Sequence, residues 1–330
     1  EIKQTLKDIL GFHKREEALY WQGIFNRAAN KNDEDLIDDA KCIGFMEKVS
    51  EEIVGKTPKG LNKKIFKYKF LKQDFKIKIK DSLINATDGD LKTNSVGKVL
   101  DIDESNNDKN IIEISSTKNL PEIISVAKDE YVNSQIIINA IFRFIESAIK
   151  GEKRYKATYE FLKKNYPKIK NIKKGEEIIK EGDFLKESFQ AVESMDNSYL
   201  YFQGPPGVGK THTAAHIIIE LIKKSKKIGI TANSHKVIFN LLDKIEELSS
   251  NKENKDFLFK GYHKGSSSDP EKKYENGKFI KNISGRVKVS GKYFDRMDLE
   301  FENMKADLFS GTAWCFSRLV CDQKLDYIFV

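Results

Sequence analysis

The sequence is poor in cysteine and contains no long apolar run. Only Cys42, Cys315 and Cys321 occur among 330 residues, without a C-x-x-C pair or a histidine at ligand spacing. This argues against a disulfide framework and a cysteine-type zinc site. No apolar run approaches the roughly 18 residues of a membrane-spanning helix, and the first residues do not look like a signal peptide. We therefore expect a reducing, cytoplasmic setting and no membrane partner.

A strong excess of one charge is also absent. Lys plus Arg outnumber Asp plus Glu by 58 to 50, and the net charge of +8 is spread along the chain. This favours a polyanionic partner only weakly, and a solvated, lysine-rich surface explains it as well. The 39% of hydrophobic residues is ordinary, and 330 residues suffice for two domains with cores. The chain starts at Glu1 instead of Met, which indicates a fragment of a longer protein.

The first third of the sequence changes from a helical to an alternating pattern. Apolar spacing predicts helices over 3–30 and 34–53, and alternation from Lys64 to Ile79 predicts β-structure. The runs 96–102 and 111–114, joined by a polar stretch, predict a hairpin. The acids of that stretch do not form a calcium loop, because the glycine and the final glutamate of such a loop are missing. We expect a small sheet or barrel here.

The middle of the chain returns to a helical pattern. Apolar positions from Ser134 to about Tyr166 predict one long helix or two joined near Gly151, and a short helix is expected over 184–194. The expected fold class is α/β: an incomplete RecA-like P-loop lobe preceded by a small β-barrel with a helical stalk. The predicted division is a helical segment 1–55, a barrel 56–120, a stalk 121–175 and the lobe 176–330.

A complete phosphate-binding motif follows the stalk. The aromatic run Tyr199–Phe202 predicts a buried strand, which leads into Gly204-Pro-Pro-Gly-Val-Gly-Lys-Thr211 and then an apolar helix pattern. A bare backbone can wrap its N–H groups round a phosphate. We expect Lys210 to contact the β- and γ-phosphates of ATP and Thr211 to ligate Mg²⁺. The predicted nucleotide-binding residues are Gly204, Pro205, Pro206, Gly207, Val208, Gly209, Lys210, Thr211 and His212.

The acidic partner of a P-loop is missing from the sequence. Mg²⁺ also needs an Asp at the end of a neighbouring buried strand. The apolar run 325–330 has the character of that strand but stops at Val330, before any such acid. We therefore expect an acidic residue to follow Val330 in a longer parent protein, and the 330 residues alone to be nearly inactive.

The motifs together resemble superfamily-1 helicases, especially the 5′-to-3′ group that includes the nonsense-mediated-decay helicase. The run 203–211 resembles their first motif, 231–241 the motif that grips a sugar–phosphate backbone, and 310–314 the strand end before the acidic motif. The segment 15–21 resembles the joint of bacterial proteins with a RecB-like nuclease fused before such a helicase. The resemblance implies nucleic-acid contacts at Asn233, Ser234, His235, Lys236 and Thr312, and an adenine contact at Gln190.

These motifs predict the first motor lobe of an ATP-dependent helicase. We expect a monomer that acts on single-stranded nucleic acid, with DNA favoured over RNA. The alternative is a P-loop switch or a small-molecule kinase with no nucleic-acid role. The segment 60–118 alone could also be a nucleic-acid-binding module. Trp314 is equally suited to stacking on a base or to a core position. The segment 251–300 is expected to be a solvated insertion with a hairpin from Phe279 to Tyr293, and its lysines could instead line a channel for the nucleic-acid strand.

Overall fold

The protein is a mixed α/β chain that divides into two compact units. The computed structural model describes residues 2–29, 33–58, 60–90, 93–105, 109–152, 154–180, 182–254, 256–266 and 269–330. One unit, here the barrel unit, comprises Gly11–Val132. The other, here the P-loop unit, comprises the residues up to Leu10 together with Asn133–Val330. Each unit is described by itself.

The chain begins with a long helix, as predicted. Helix α1 runs over Ile2–Ala29 and a short helix α2 over Asp33–Ile37. The helix predicted over 34–53 is wrong, because Cys42–Lys56 form strand β1. Ile43 and Met46 have helical spacing, but both are fully buried inside a sheet. The spacing of so few apolar residues does not distinguish a helix from a bulged strand.

The strands of the barrel unit close on themselves, which confirms the predicted barrel. Its members are β1, β2 (Asn62–Leu71), β3 (Ser82–Asn85), β4 (Ser95–Asp103), β5 (Lys109–Ser116) and β6 (Ile123–Lys128), in the order β1-β2-β5-β4-β3-β6. All neighbours are antiparallel. The predicted hairpin is β4–β5, in which Ile102 faces Ile112. The end of its connecting turn, residues 106–108, lies outside the described residues.

Alternating side chains fill the barrel interior. In β5, for example, Ile112 and Ile114 are fully buried, and their neighbours in the strand are more exposed. Strands β1 and β6 lie partly or wholly outside the predicted limits 56–120. The alternation from Phe75 to Ile79 does not form a strand: only Ile77 is buried, and the segment is irregular.

The P-loop unit contains the predicted helices. These are α3 (Gln135–Ile149), α4 (Lys156–Leu162), α5 (Phe184–Glu193) and α6 (Lys210–Lys223). A further helix, α7 (His235–Ser249), lies where the sequence analysis predicts none. The break between α3 and α4 occurs where the sequence indicated it, since Gly151 has a φ of +70°, which disfavours side chains with a Cβ. Helix α6 is apolar on most sides and is covered by α5, α7 and the sheet.

The core of this unit is a five-stranded parallel sheet. It comprises β7 (Ile228–Ile230), β8 (Gly261–Lys264), β9 (Ile280–Ile283), β12 (Leu308–Ser310) and β13 (Tyr327–Phe329), in the order β13-β7-β12-β8-β9. The segment 251–300 is therefore not a solvated insertion, because it supplies β8 and β9. Its buried Phe259, Phe279 and Ile280 belong to the main core of this unit. A hairpin does lie nearby, in β10 (Arg286–Val289) and β11 (Lys292–Asp295).

The strand predicted at Tyr199–Phe202 is wrong. Among the described residues its backbone pairs with no strand, and Tyr201 is 70% exposed. An aromatic run has a strand conformation only where a neighbouring strand completes its hydrogen bonds. The short helices α8 (Arg296–Asn303) and α9 (Ala313–Phe316) complete this unit. Within the described residues, no helix is long and apolar enough to cross a membrane.

Candidate functional site

The phosphate loop ends where helix α6 begins. Gly207 and Gly209 have φ values of +85° and +87°, a left-handed conformation that glycine adopts without strain. Gly209 is the N-cap of α6, and its carbonyl accepts from Thr213 N at 2.9 Å. The first N–H groups of a helix have no partner within the helix and carry a partial positive charge. The loop therefore presents donors to an anion.

Lys210 is held inside this loop. Its Nζ donates to the carbonyl oxygens of Gly204 and Pro205, at 2.6 and 2.8 Å. At Gly204 an added Cβ would lie 2.7 Å from Cγ2 of Val208, so the loop packs closely at its start. Two neutral carbonyls are weaker partners for an ammonium group than a phosphate is. The lysine is thus positioned to exchange its loop contacts for a phosphate.

The loop borders a cleft of about 510 Å³. Six predicted residues line it, namely Pro206, Gly207, Gly209, Lys210, Thr211 and His212. Asn240 and Lys244 of α7 also line it, and sequence reasoning missed both. Their spacing of four residues on one helix face was the available signal. Gln190 is exposed on α5 and is not a lining residue.

The fit of the cleft to a magnesium ion rests on the hydroxyl of Thr211. Thr211 is exposed in the first turn of α6, and no acidic residue lines the cleft. Among the described residues, no group of three or more His, Cys, Asp or Glu side chains could hold a metal ion. A hydroxyl oxygen and phosphate oxygens are nonetheless suitable ligands for Mg²⁺. The residues present fit an ion that arrives with the nucleotide.

Asp326 does not lie at the carboxyl end of its strand. It precedes β13, and its Oδ2 accepts from the backbone N–H of Lys227 at 2.7 Å, just before β7. Its own N–H donates to the carbonyl of Lys227 at 2.9 Å. Asp326 therefore fixes the pairing of β13 with β7.

The predicted nucleic-acid contacts follow the carboxyl ends of β7 and β12. Asn233 and Lys236 are exposed, and Ser234 caps α7 by accepting from Val237 N at 3.4 Å. Thr312 is half-buried at the start of α9. Because both strands run parallel, these residues stand at one edge of the sheet, where ligands of open α/β sheets bind.

A buried chain of hydrogen-bonded polar side chains lies at the same edge of the sheet, and sequence reasoning missed it. His263, at the end of β8, is fully buried, and its Nε2 lies 3.0 Å from Nδ1 of His235. Its Nδ1 lies 3.0 Å from Oγ of Ser310 in β12. Burial, followed by the neighbouring His235, lowers the pKa of His263 to about 3. No local motif contains this chain, since its members come from three separate elements.

Trp314 is neither fully buried nor fully exposed. It is 39% exposed, and its Nε1 donates to the carbonyl oxygen of Asn133 at 3.0 Å. Its indole N–H is therefore engaged within the P-loop unit, and part of the ring faces solvent.

Comparison with known proteins supports the same part of the chain. Residues 168–291 match the family model described as "Type III restriction enzyme, res subunit". The match begins before α5 and ends in the β10–β11 hairpin, so it includes the phosphate loop, α7 and β8. No curated protein matches the chain. The family is a helicase-like P-loop domain of the superfamily-2 group. The chain thus carries an ATP-binding, helicase-like P-loop domain.

Proposed function

We propose that this chain is the ATP-binding motor lobe of a nucleic-acid helicase or translocase that acts on single strands. We favour DNA over RNA as this nucleic acid. The observation that carries the proposal is the phosphate loop, with Lys210 held by two loop carbonyls at the mouth of a cleft of about 510 Å³. The matched helicase-like domain, which contains this loop, supports it. The superfamily-1 subtype and a RecB-like nuclease fusion stay predictions.

Each residue of the cleft has a distinct role in this proposal. The N–H groups at the start of α6 bind the phosphates, and Lys210 turns from its carbonyl partners to the terminal phosphates. Thr211 would contribute its hydroxyl to Mg²⁺, which would screen the phosphate charge. Asn240 and Lys244 line the cleft from α7.

Helix α7 provides the connection to the strand of nucleic acid. It begins with His235 at the sheet edge and carries Asn240 and Lys244 at the cleft. One rigid helix therefore borders both the nucleotide and the proposed nucleic-acid edge. A movement of α7 that follows the presence of the terminal phosphate would alter the grip on the strand.

The first test is nucleotide binding by the 330-residue chain, measured with a fluorescent ATP analogue and Mg²⁺. Charge-assisted hydrogen bonds contribute about 1.5–3 kcal/mol, so Lys210→Ala should weaken binding at least about tenfold. Lys223→Ala is the matched control, because Lys223 pairs with Glu220 at the opposite end of α6. Equal affinity of Lys210→Ala and the unchanged chain would refute the nucleotide site.

The second test separates a motor lobe from a switch or a small-molecule kinase. Single-stranded DNA should bind the chain with an affinity that falls as salt rises, because phosphate contacts release counterions. A switch or kinase requires no such binding. Among the described residues no acidic side chain lines the cleft, so hydrolysis by the 330 residues should be very slow.

A further inference from the structure

A buried chain of hydrogen-bonded side chains, formed by Ser310, His263 and His235, determines which ring nitrogens carry protons at the sheet edge. The Oγ of Ser310 lies 3.3 Å from the carbonyl oxygen of Tyr262, which can only accept. This contact and the two histidine contacts are hydrogen bonds at the same time only if the single hydroxyl proton of Ser310 is donated to that carbonyl. In that arrangement the Oγ of Ser310 accepts from His263, whose Nδ1 carries the proton. A neutral imidazole has one N–H, so Nε2 of His263 is an acceptor.

The tautomer of His263 determines that of His235. Because Nε2 of His263 accepts, the proton between the two rings belongs to Nδ1 of His235. The Nε2 of His235 is then unprotonated. Among the described residues, no hydrogen bond engages this nitrogen, and it is not one of the buried polar atoms that lack a partner, so it reaches solvent.

The surroundings keep both rings neutral. Burial lowers the pKa of His235, and the nearby Lys272 lowers it further, while Asp269 opposes both effects. The ring of Phe239 packs beside both imidazoles, at 6.0 Å from His235 and 5.0 Å from His263. A neutral ring with an exposed, unprotonated nitrogen repels a phosphate oxygen, since both are acceptors.

We propose that His235 accepts a hydrogen bond, through Nε2, from a neutral donor on the bound nucleic-acid strand. The donor is a ribose hydroxyl or the exocyclic amine of a base, which share the required O–H or N–H group. His235 is then a specificity-determining residue, and His263 is a positioning residue that fixes its tautomer. The inference rests on the proposed nucleic-acid function and refines which part of the strand is recognised.

The binding test compares three oligomers on the full 330-residue chain. Oligo(U) RNA carries ribose hydroxyls without an exocyclic amine, oligo(dA) carries the amine without the hydroxyl, and oligo(dT) carries neither. His235→Phe removes the acceptor and should weaken binding of oligo(U) or oligo(dA) about three- to tenfold, with oligo(dT) unchanged. Val237→Ala is the control, because Val237 is exposed in the same first turn and its side chain has no polar group.

The second measurement is the nitrogen NMR spectrum of the histidine rings at pH 7. We expect His235 to have a protonated Nδ1 and an unprotonated Nε2 in the unchanged chain, and His263→Phe to release this preference. A protonated Nε2 in the unchanged chain overturns the inference, whether or not the variants fold. An equal loss on all three oligomers, or none, overturns it as well.

The two proposals fail in different ways. If the unchanged chain binds oligomers but His235→Phe binds them equally well, only this inference fails. If the unchanged chain binds none of the three, the proposed function fails and the assigned ligand with it. The nitrogen spectrum still decides the tautomer in that case.

Discussion

The protonation of His263 couples the stability of the fold to pH. It is fully buried, and burial, followed by His235, lowers its pKa from 6.5 to about 3. The unfolded chain therefore binds a proton below pH 6.5 that the folded chain does not bind. This contribution to stability is present above pH 6.5 and is lost as the pH falls from 6.5 towards 3. We expect the free energy of unfolding to fall by about 2 kcal/mol between pH 7 and pH 5.

Urea unfolding at the two pH values measures this loss. His263→Asn should show a smaller pH dependence, although it is less stable at pH 7, because one titrating ring is removed. Direct NMR titration provides the check that needs no variant. A His263 ring that titrates near pH 6.5 in the folded chain would contradict the prediction.

Glu246 is a single carboxylate that holds the start of β9. It accepts from the backbone N–H groups of Lys278, Phe279 and Ile280, at 3.0, 3.0 and 2.7 Å. Glu246→Gln replaces one acceptor oxygen by an N–H donor that faces another donor. We expect a loss of about 2 kcal/mol in the free energy of unfolding, measured by urea denaturation.

The neighbouring Glu247 provides the matched control for this change. It is exposed and pairs with Lys244 at 2.8 Å. Exposed ion pairs contribute little, so Glu247→Gln should change stability by no more than about 0.5 kcal/mol. Equal effects of the two substitutions would mean that the backbone contacts of Glu246 do not stabilise β9.

At the scale of an element, the β4–β5 pair of the barrel depends on a close backbone approach. A Cβ at Gly97 would lie 2.2 Å from the carbonyl oxygen of Ser115, closer than any real contact. Gly97→Ala must push the two strands apart, and we expect it to destabilise the barrel by about 3 kcal/mol or more in thermal unfolding. Gly23→Ala is the control: Gly23 lies in α1, where its Cβ would come no nearer than 3.6 Å to a side chain. It should leave stability unchanged or raise it by about 1 kcal/mol.

Elements with a clear local apolar period are predictable from the sequence, and elements that depend on pairing with distant strands are not. Helices α1, α5 and α6 and the β4–β5 hairpin have periods that a local pattern reveals. The sequence predicts a helix where β1 lies, because the strand conformation of β1 depends on hydrogen bonds to β2 and β6, which its local pattern does not reveal. The strand predicted at 199–202 is wrong because no described strand pairs with this aromatic run.

At the scale of the whole molecule, the same contrast separates the two parts of the candidate site. The phosphate loop is contiguous, so its residues could be named from the sequence, and six of them line the cleft. The His263 chain joins the end of β8, the end of β12 and the start of α7. Its hydrogen-bonded residues His263 and Ser310 are 47 positions apart in the sequence. Only the order of strands in the sheet brings them together.

The two units have separate hydrophobic cores. Phe66, Tyr68 and their neighbours fill the barrel, whereas α6 and the parallel sheet form the main core of the P-loop unit. We therefore expect each unit to open cooperatively by itself. Hydrogen exchange followed by mass spectrometry should show faster exchange in barrel peptides for Gly97→Ala and in P-loop-unit peptides for Glu246→Gln.

Binding of the fluorescent ATP analogue gives the complementary readout. At a temperature where both units remain folded, Gly97→Ala should bind the analogue with unchanged affinity, because Gly97 lies in the barrel unit and the cleft lies in the P-loop unit. Lys210→Ala should weaken binding without faster exchange in barrel peptides. If Gly97→Ala instead accelerated exchange throughout the chain and weakened nucleotide binding, the units would unfold as one cooperative body, and stability changes in the barrel would control the nucleotide site.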